Sequence, residues 1–154
     1  VNEKKPISTA HSVSSTNGGE GRFKLGRSAE LLVAARLVDL GFDIFFPFSD
    51  RSPVDLIGIW EGQTQRIQVK ARWTTREGAG QHVTVSGVRS SNADALVVYL
   101  DKPTPSFYII PSSELNGATT MTFYPGGRSA KRPKKYWDEW RDRWDVLKCS
   151  PECT

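Results

Sequence analysis

The chain has 154 residues, 38% of them hydrophobic and 25% charged, which fits one domain with a sizeable core and excludes a wholly disordered or membrane-embedded protein. A net charge of +4 and a pI near 9.2 give a mild basic excess that suits nucleic acid without requiring it. No apolar run approaches bilayer length, and the polar N-terminus lacks the apolar segment of a secretory signal. Cys149 and Cys153 sit together near the C-terminus and do not make a disulfide scaffold, so an intracellular, cytoplasmic protein with reduced thiols is expected.

Residues 1–22 are rich in Ser, Thr and Gly without periodicity and read as a mobile polar tail. In "KLGRSAELLVAARLVDLGF", Leu25, Ala29, Leu32, Val33, Leu37 and Leu40 recur at helical spacing, with Arg36 the one polar member. This predicts an amphipathic helix from Gly26 to Leu40, stopped by Gly41. "FDIFFPF" is a strand ending near Pro47, and "SDRS" is a turn. "PVDLIGIW" is a second strand, with Pro53 at its start, where a missing N–H is tolerated. "EGQ" turns the chain into a third strand, "TQRIQVKARW", and "TTREGAGQ" is a loop. "HVTVSGV" alternates as a fourth strand, and a short helix fits near "RSSNA". "DALVVYL" and "SFYIIP" are apolar strands, "PSSEL" is a turn or helix start, and "TMTFYP" is an edge strand. A basic loop, "GGRSAKRPKK", leads to a final helix, "YWDEWRDRWDVLK". The order predicts an α/β or α+β fold, a mixed central sheet flanked by helices, formed by a single domain over residues 23–148 with a C-terminal tail at 149–154.

The candidate chemistry lies on the hairpin. If the chain folds about Glu61 and Gly62, Asp55 lies across from Gln68 or its neighbour. Gln68 and Lys70 share one face of their strand, while Ile67, Val69 and Ala71 share the other. Asp55, Gln68 and Lys70 then converge on one patch. A carboxylate and an amide oxygen suit a hard divalent cation such as Mg2+, and a nearby ammonium can stabilise developing negative charge or orient a water. The same alternation of Arg66, Gln68, Lys70 and Arg72 with apolar residues is what any half-solvated strand shows, and Asp55 also suits a turn cap. A third member is Glu30, which sits among Ala29, Leu32 and Val33 at the buried border of the first helix; an exposed helix glutamate is the plainer reading.

A helix with "GRSAE", a strand ending "PF", then "PVD" and "QVK" together resemble the PD-(D/E)xK nuclease superfamily. Within it they resemble the Holliday-junction-resolvase-like branch and the intron-encoded homing endonucleases with a Gln-x-Lys motif. The resemblance covers residues 26–73. It implies a restriction-endonuclease-like α-β-β-β-α-β core that cleaves DNA phosphodiesters with Mg2+ or Mn2+. It also implies roles: Glu30 as the helix carboxylate supporting the metal or its water, Asp55 as the central metal ligand, Gln68 at the usual acid position, and Lys70 as the catalytic lysine. Two departures stand out: Val54 separates Pro53 from Asp55, and Gln68 replaces a carboxylate, which leaves less negative charge for a cation.

Basic residues cluster in two regions. Arg51, Arg66, Lys70, Arg72 and Arg76 outnumber the acids of the first. Arg128, Lys131, Arg132, Lys134 and Lys135 precede the last predicted helix and suit phosphate contact, or equally a solvated connector. His82, Thr84 and Ser86 share a face that lines a DNA cleft or belongs to an ordinary amphipathic strand. Trp137, Trp140, Trp144 and Leu147 fall at helical spacing, as a core stripe or a subunit interface. The expected protein is a site-specific, homing-type endonuclease or a junction resolvase. Its partners are double-stranded or branched DNA and its own copies in a homodimer or homotetramer, and it is nucleoid-associated when bound. The rival expectations are a non-catalytic DNA-binding module with a decayed site, and an interaction protein using the tryptophan helix.

Overall fold

The computed structural model describes residues 17–49, 51–72, 82–88, 92–101, 104–125 and 137–148, with side chains from Lys24 onward. The loop carrying Arg76, most of the short helix expected near Asn92, the basic loop from Arg128 to Lys135, and Cys149 and Cys153 lie outside these residues.

Helix α1 runs Asn17–Asp39. It begins before the expected Gly26, because its first turns carry no apolar periodicity to mark them. Ala29, Val33 and Leu37 are fully buried, one turn apart along a single stripe. That stripe is narrower than predicted: Leu32 and Arg36 are exposed. The helix ends as its glycine requires. Gly41 takes φ 90°, its N–H donates to the Val38 carbonyl, and the Phe42 N–H donates to the Leu37 carbonyl. This is the paired closure that a left-handed residue after a helix permits.

Strands β1 (Asp43–Phe45), β2 (Leu56–Trp60) and β3 (Gln63–Arg72) follow as an antiparallel meander. Glu61 and Gly62 form the β2–β3 turn with φ 49° and 80°, and Trp60 pairs with Gln63. Two positive-φ residues match the strands' right-handed twist. Strand β4 (Val83–Ser86) leaves the main sheet to pair with β7 (Thr120–Phe123). Strand β5 (Ala95–Leu100) returns parallel to β3, and β6 (Ser106–Pro111) pairs antiparallel with β5. The main sheet therefore has the order β1-β2-β3-β5-β6. A short helix α2 (Ser112–Leu115) joins β6 to β7.

The two faces of this sheet bury different layers. Leu56, Ile67, Val69, Val97 and Ile109 pack against α1. Leu96, Val98, Leu100, Tyr108 and Ile110 pack against Val85, Met121, Phe123 and Leu115 of the small sheet and α2. The near-continuous burial of β5 follows, since a strand covered on both faces has no polar side. "TMTFYP" is thus an edge strand as expected, but of a two-stranded second layer.

The final helix is a correction. The segment forms two 3-10 turns, Trp137–Trp140 and Trp144–Leu147, with a break between them. The Asp142 N–H donates to the Phe107 carbonyl at 2.8 Å, Arg141 bridges Tyr108 across the sheet edge, and Asp142 takes φ 53°. These backbone demands of β6 stop helix propagation. The tryptophans consequently form no single stripe: Trp137 joins the core under the small sheet, whereas Trp144 and Leu147 join the core under α1.

Two contacts set how tightly the sheet is built. A Cβ at Gly58 would lie 3.1 Å from Phe42 Cδ1 and 3.5 Å from Ile44 Cδ1, so β2 packs closely against the start of β1. Asp94 accepts the Arg66 backbone N–H at 2.8 Å and its guanidinium at 3.1 and 2.8 Å, locking β3 to the start of β5. Gly58→Val is expected to destabilise the protein by about 1–3 kcal/mol through overpacking, read as a lower urea midpoint. Arg66 holds the Asp94 carboxyl below its ordinary range. The carboxylate therefore stabilises the fold above the unfolded pKa, and that contribution is lost as pH falls through the lowered folded value. Asp94→Ala should lower the midpoint at pH 7, and the gap to wild type should close in acid.

Candidate active site

Asp55 stands where the chain enters β2. Val54 donates its N–H to Ser52 Oγ at 3.2 Å, which turns the Ser52–Pro53 segment away from the sheet. The Asp55 N–H donates to the Ile67 carbonyl at 3.0 Å, and the Val69 N–H donates to Asp55 Oδ2 at 2.7 Å. The side chain thus replaces a backbone acceptor at the point where the ladder frays. One carboxylate oxygen is fixed, at a distance typical of charge-assisted bonds.

With Leu56 opposite Ile67, Asp55 falls opposite Gln68, the first of the two positions that a fold about Glu61–Gly62 allows. Gln68 is buried at 6% exposure, and its Nε2 donates to the Pro53 carbonyl at 3.5 Å. Of the two amide heteroatoms, the oxygen is the one whose lone pairs can meet a cation. Gln68 and Lys70 lie beside Leu96 and Val98 of β5, on the face turned away from α1. Lys70 is half-buried and close enough to Asp55 to favour its ionised form.

Glu30 joins this group indirectly. Its Oε2 accepts from Arg27 Nη1 at 2.7 Å, with its side chain 19% exposed. The Arg27 guanidinium acts electrostatically on Asp55 and lies 5.3 Å from the centre of the Phe46 ring. Arg27 was missed in the sequence reading, although it stands inside "GRSAE". An arginine three residues before a helix glutamate is a signal of pairing that was available there.

The Asp55 carboxyl is pushed above its ordinary value by burial, against the opposing pull of the Val69 N–H, Lys70 and Arg27. A half-buried carboxylate with cations beside it is suited to an added partner with more charge. Among the described residues no group of three or more His, Cys, Asp or Glu side chains gathers to hold a metal. The oxygens that could meet a cation here are those of Asp55 and the Gln68 amide, while the Glu30 carboxylate is paired with Arg27.

The other predicted nucleic-acid residues are placed as follows. Arg51 is exposed on the β1–β2 loop, and its backbone N–H donates to Ser49 Oγ at 3.2 Å. Arg72 donates to the Thr84 carbonyl at 3.3 Å and to Ser86 Oγ at 3.5 Å, so it ties β4 to the end of β3. His82 is exposed beside Tyr124, with ring centroids 6.2 Å apart. Arg76, Arg128, Lys131, Arg132, Lys134 and Lys135 lie outside the described residues.

Burial raises the folded pKa of Asp55 above its unfolded value, so the metal-free protein loses stability as pH rises through that window. Asp55→Asn keeps an oxygen for the Val69 N–H and removes the charge. It should melt higher than wild type at pH 7 in EDTA, with no difference at a pH below the ordinary carboxylate range. Millimolar Mg2+ should raise the melting temperature of wild type and leave that of Asp55→Asn unchanged.

Residues 23–143 match the PD-(D/E)XK endonuclease family. Protein 5.3 of Escherichia phage T7 is 27% identical over 107 residues, covering 65% of this chain and 88% of that one. Among solved structures, the bacterial homing endonuclease I-Ssp6803I superposes with a TM-score of 0.63 at 21% identity, covering 81% of this chain and 91% of its own. Hjc, a Holliday junction resolvase of Archaeoglobus fulgidus, gives a TM-score of 0.44 at 16% identity, covering 64% and 83%.

Proposed function

This chain belongs to the PD-(D/E)XK endonuclease family, and on that premise we propose that it hydrolyses DNA phosphodiester bonds with a divalent cation, Mg2+ or Mn2+. The observation that carries the reading is the Asp55 carboxylate, desolvated and pinned by the Val69 N–H with Lys70 beside it. A family pattern alone would not require that arrangement.

Asp55 would hold the cation, with the Gln68 amide oxygen as second donor and Glu30 supporting its water. When bound, the cation supplies charge neutralisation on the phosphate and a more acidic water. The chain's own groups do the rest. Lys70 presents its ammonium on the Gln68 side of β3, where it stabilises charge developing on a phosphoryl oxygen. Gln68 contributes an oxygen without adding charge, which makes the site more dependent on Asp55 than one with two carboxylates. Arg27, with 58% of its side chain exposed, offers a guanidinium fork to the DNA backbone. Arg51 adds a second cation on the loop that leads into Asp55.

Site-specific, homing-type cleavage is the form we favour, because the Gln-x-Lys motif stands where most of the superfamily carries an acid. One chain carries one such site, so cutting both strands calls for a homodimer or homotetramer. Supercoiled plasmid, four-way junctions and a randomised-site duplex library, each with Mg2+ or Mn2+, test the proposal. Asp55→Ala should abolish cleavage, and Lys70→Ala should reduce it about 10²–10³-fold, with DNA binding retained in both. Preference for the junction would identify a resolvase. Binding without metal-dependent cutting of any of the three would identify a DNA-binding module with a decayed site.

A further inference from the structure

The end of β1 and the loop after it expose aromatic side chains that the mechanism leaves unused. Phe48 is 107% exposed, Phe45 53% and Phe46 41%. Single exposed apolar residues need no explanation, but a cluster of large ones marks a binding surface. This cluster sits on the segment that ends at Asp55. Phe46 is tied to the site itself, because the guanidinium over its ring is that of Arg27, which binds Glu30 and acts on Asp55.

We propose that Phe48, with Phe46 two residues before it, is a stacking platform that receives unstacked nucleobases next to the scissile phosphate. The proposal rests on the nuclease reading above. Its chemistry is that of single-strand recognition, in which basic groups follow the phosphates while aromatic rings take the π-faces of the bases. Arg27 and Arg51 supply the first part and the phenylalanines the second. Local hydrogen bonds join residues that follow Phe48. Ser49 Oγ accepts the Arg51 N–H, the Ser49 carbonyl accepts the Ser52 N–H at 3.0 Å, and Ser52 Oγ accepts the Val54 N–H. Pro47 fixes φ between the two rings. The charge decides between occupants. A second copy of the chain carries the same net charge of +4 and brings no phosphate to Arg27 and Arg51, whereas DNA brings phosphates to both.

The proposal fixes where DNA is deformed. A ring inserted at a base step displaces the stack close to the cleaved bond, so substrates already unstacked there have less to lose on binding. Stacking releases no counterions, so Phe48 acts on affinity equally at all salt concentrations, unlike a phosphate-binding arginine.

The test uses the full chain without metal. Fluorescein-labelled 30-base-pair duplexes, fully paired or carrying a central two-nucleotide bulge, are titrated by anisotropy at several salt concentrations. Wild type should prefer the bulged duplex. Phe48→Ala should weaken bulge binding roughly tenfold with an unchanged salt slope, and Phe48→Trp should restore it. Arg51→Ala should flatten the slope instead. Phe48 touches no core, so its melting temperature should match wild type. Equal affinity of Phe48→Ala and wild type for the bulge would overturn the platform, while Asp55-dependent cleavage would still uphold the nuclease. A fall in sedimentation coefficient of Phe48→Ala without DNA would overturn it in favour of an interface between copies. Absence of DNA binding by wild type would overturn both readings.

Discussion

The parallel pairing of β3 with β5 is the constraint on which the rest of the molecule depends. Parallel neighbours cannot be joined by a tight turn, so the chain between them must leave the sheet and return. Here it does so through β4, which builds the second layer with β7. Because β3 also pairs antiparallel with β2, it is fixed on both sides, and its side chains cannot slip without moving an entire face. Lys70 and Gln68 inherit that rigidity. The Arg66–Asp94 lock marks the start of the parallel pair, and Arg72 bonds β4 at its other end.

The candidate site draws on this rigidity to hold an unfavourable arrangement. A half-buried carboxylate with its pKa pushed up by desolvation is a local cost, placed where β2 has no backbone acceptor left to offer. Val69 offsets part of that cost with an N–H that would otherwise be unmet, so the group most exposed to the penalty also completes the sheet. Removing its charge and removing its side chain are therefore different perturbations. The first relieves desolvation, whereas the second leaves a strand amide in need of an acceptor.

Much of this was legible in the sequence where local chemistry decides. A turn about Glu61-Gly62 brought Asp55 across from Gln68 or its neighbour, and strand alternation put Gln68 and Lys70 on one face. Gly41 marked the end of α1. The misreadings arise where distant partners override local pattern. Trp137, Trp140, Trp144 and Leu147 have faultless helical spacing, yet the segment is broken by hydrogen bonds from a strand about 35 positions earlier in the chain. Leu32 fits the apolar period of α1 but points outward, since the helix meets the sheet along a narrower line. The role of Arg27 was hidden because its partners, Asp55 and Phe46, are brought near by the sheet and not by the helix. "TMTFYP" is the edge strand its pattern indicates, but the layer it edges depended on the path of the β3–β5 crossover, which no local pattern encodes.

The broken segment at 137–148 also governs how the sheet can grow. An outer strand with open N–H and C=O groups is a template for any extended chain that meets it. On the β6 side that template is occupied: Arg141 pairs with Tyr108, Asp142 bonds Phe107, and the Arg141 guanidinium reaches Tyr108 Oη at 3.0 Å and the Pro125 carbonyl at 3.2 Å. The tryptophans on either side of the break grip opposite faces, so the strap cannot be peeled away without opening both cores. The other edge is β1, three residues long, too short to nucleate an extended ladder. The sheet is thereby capped at one margin and curtailed at the other, which guards a protein with an apolar, two-sided β5 against fibrillar association.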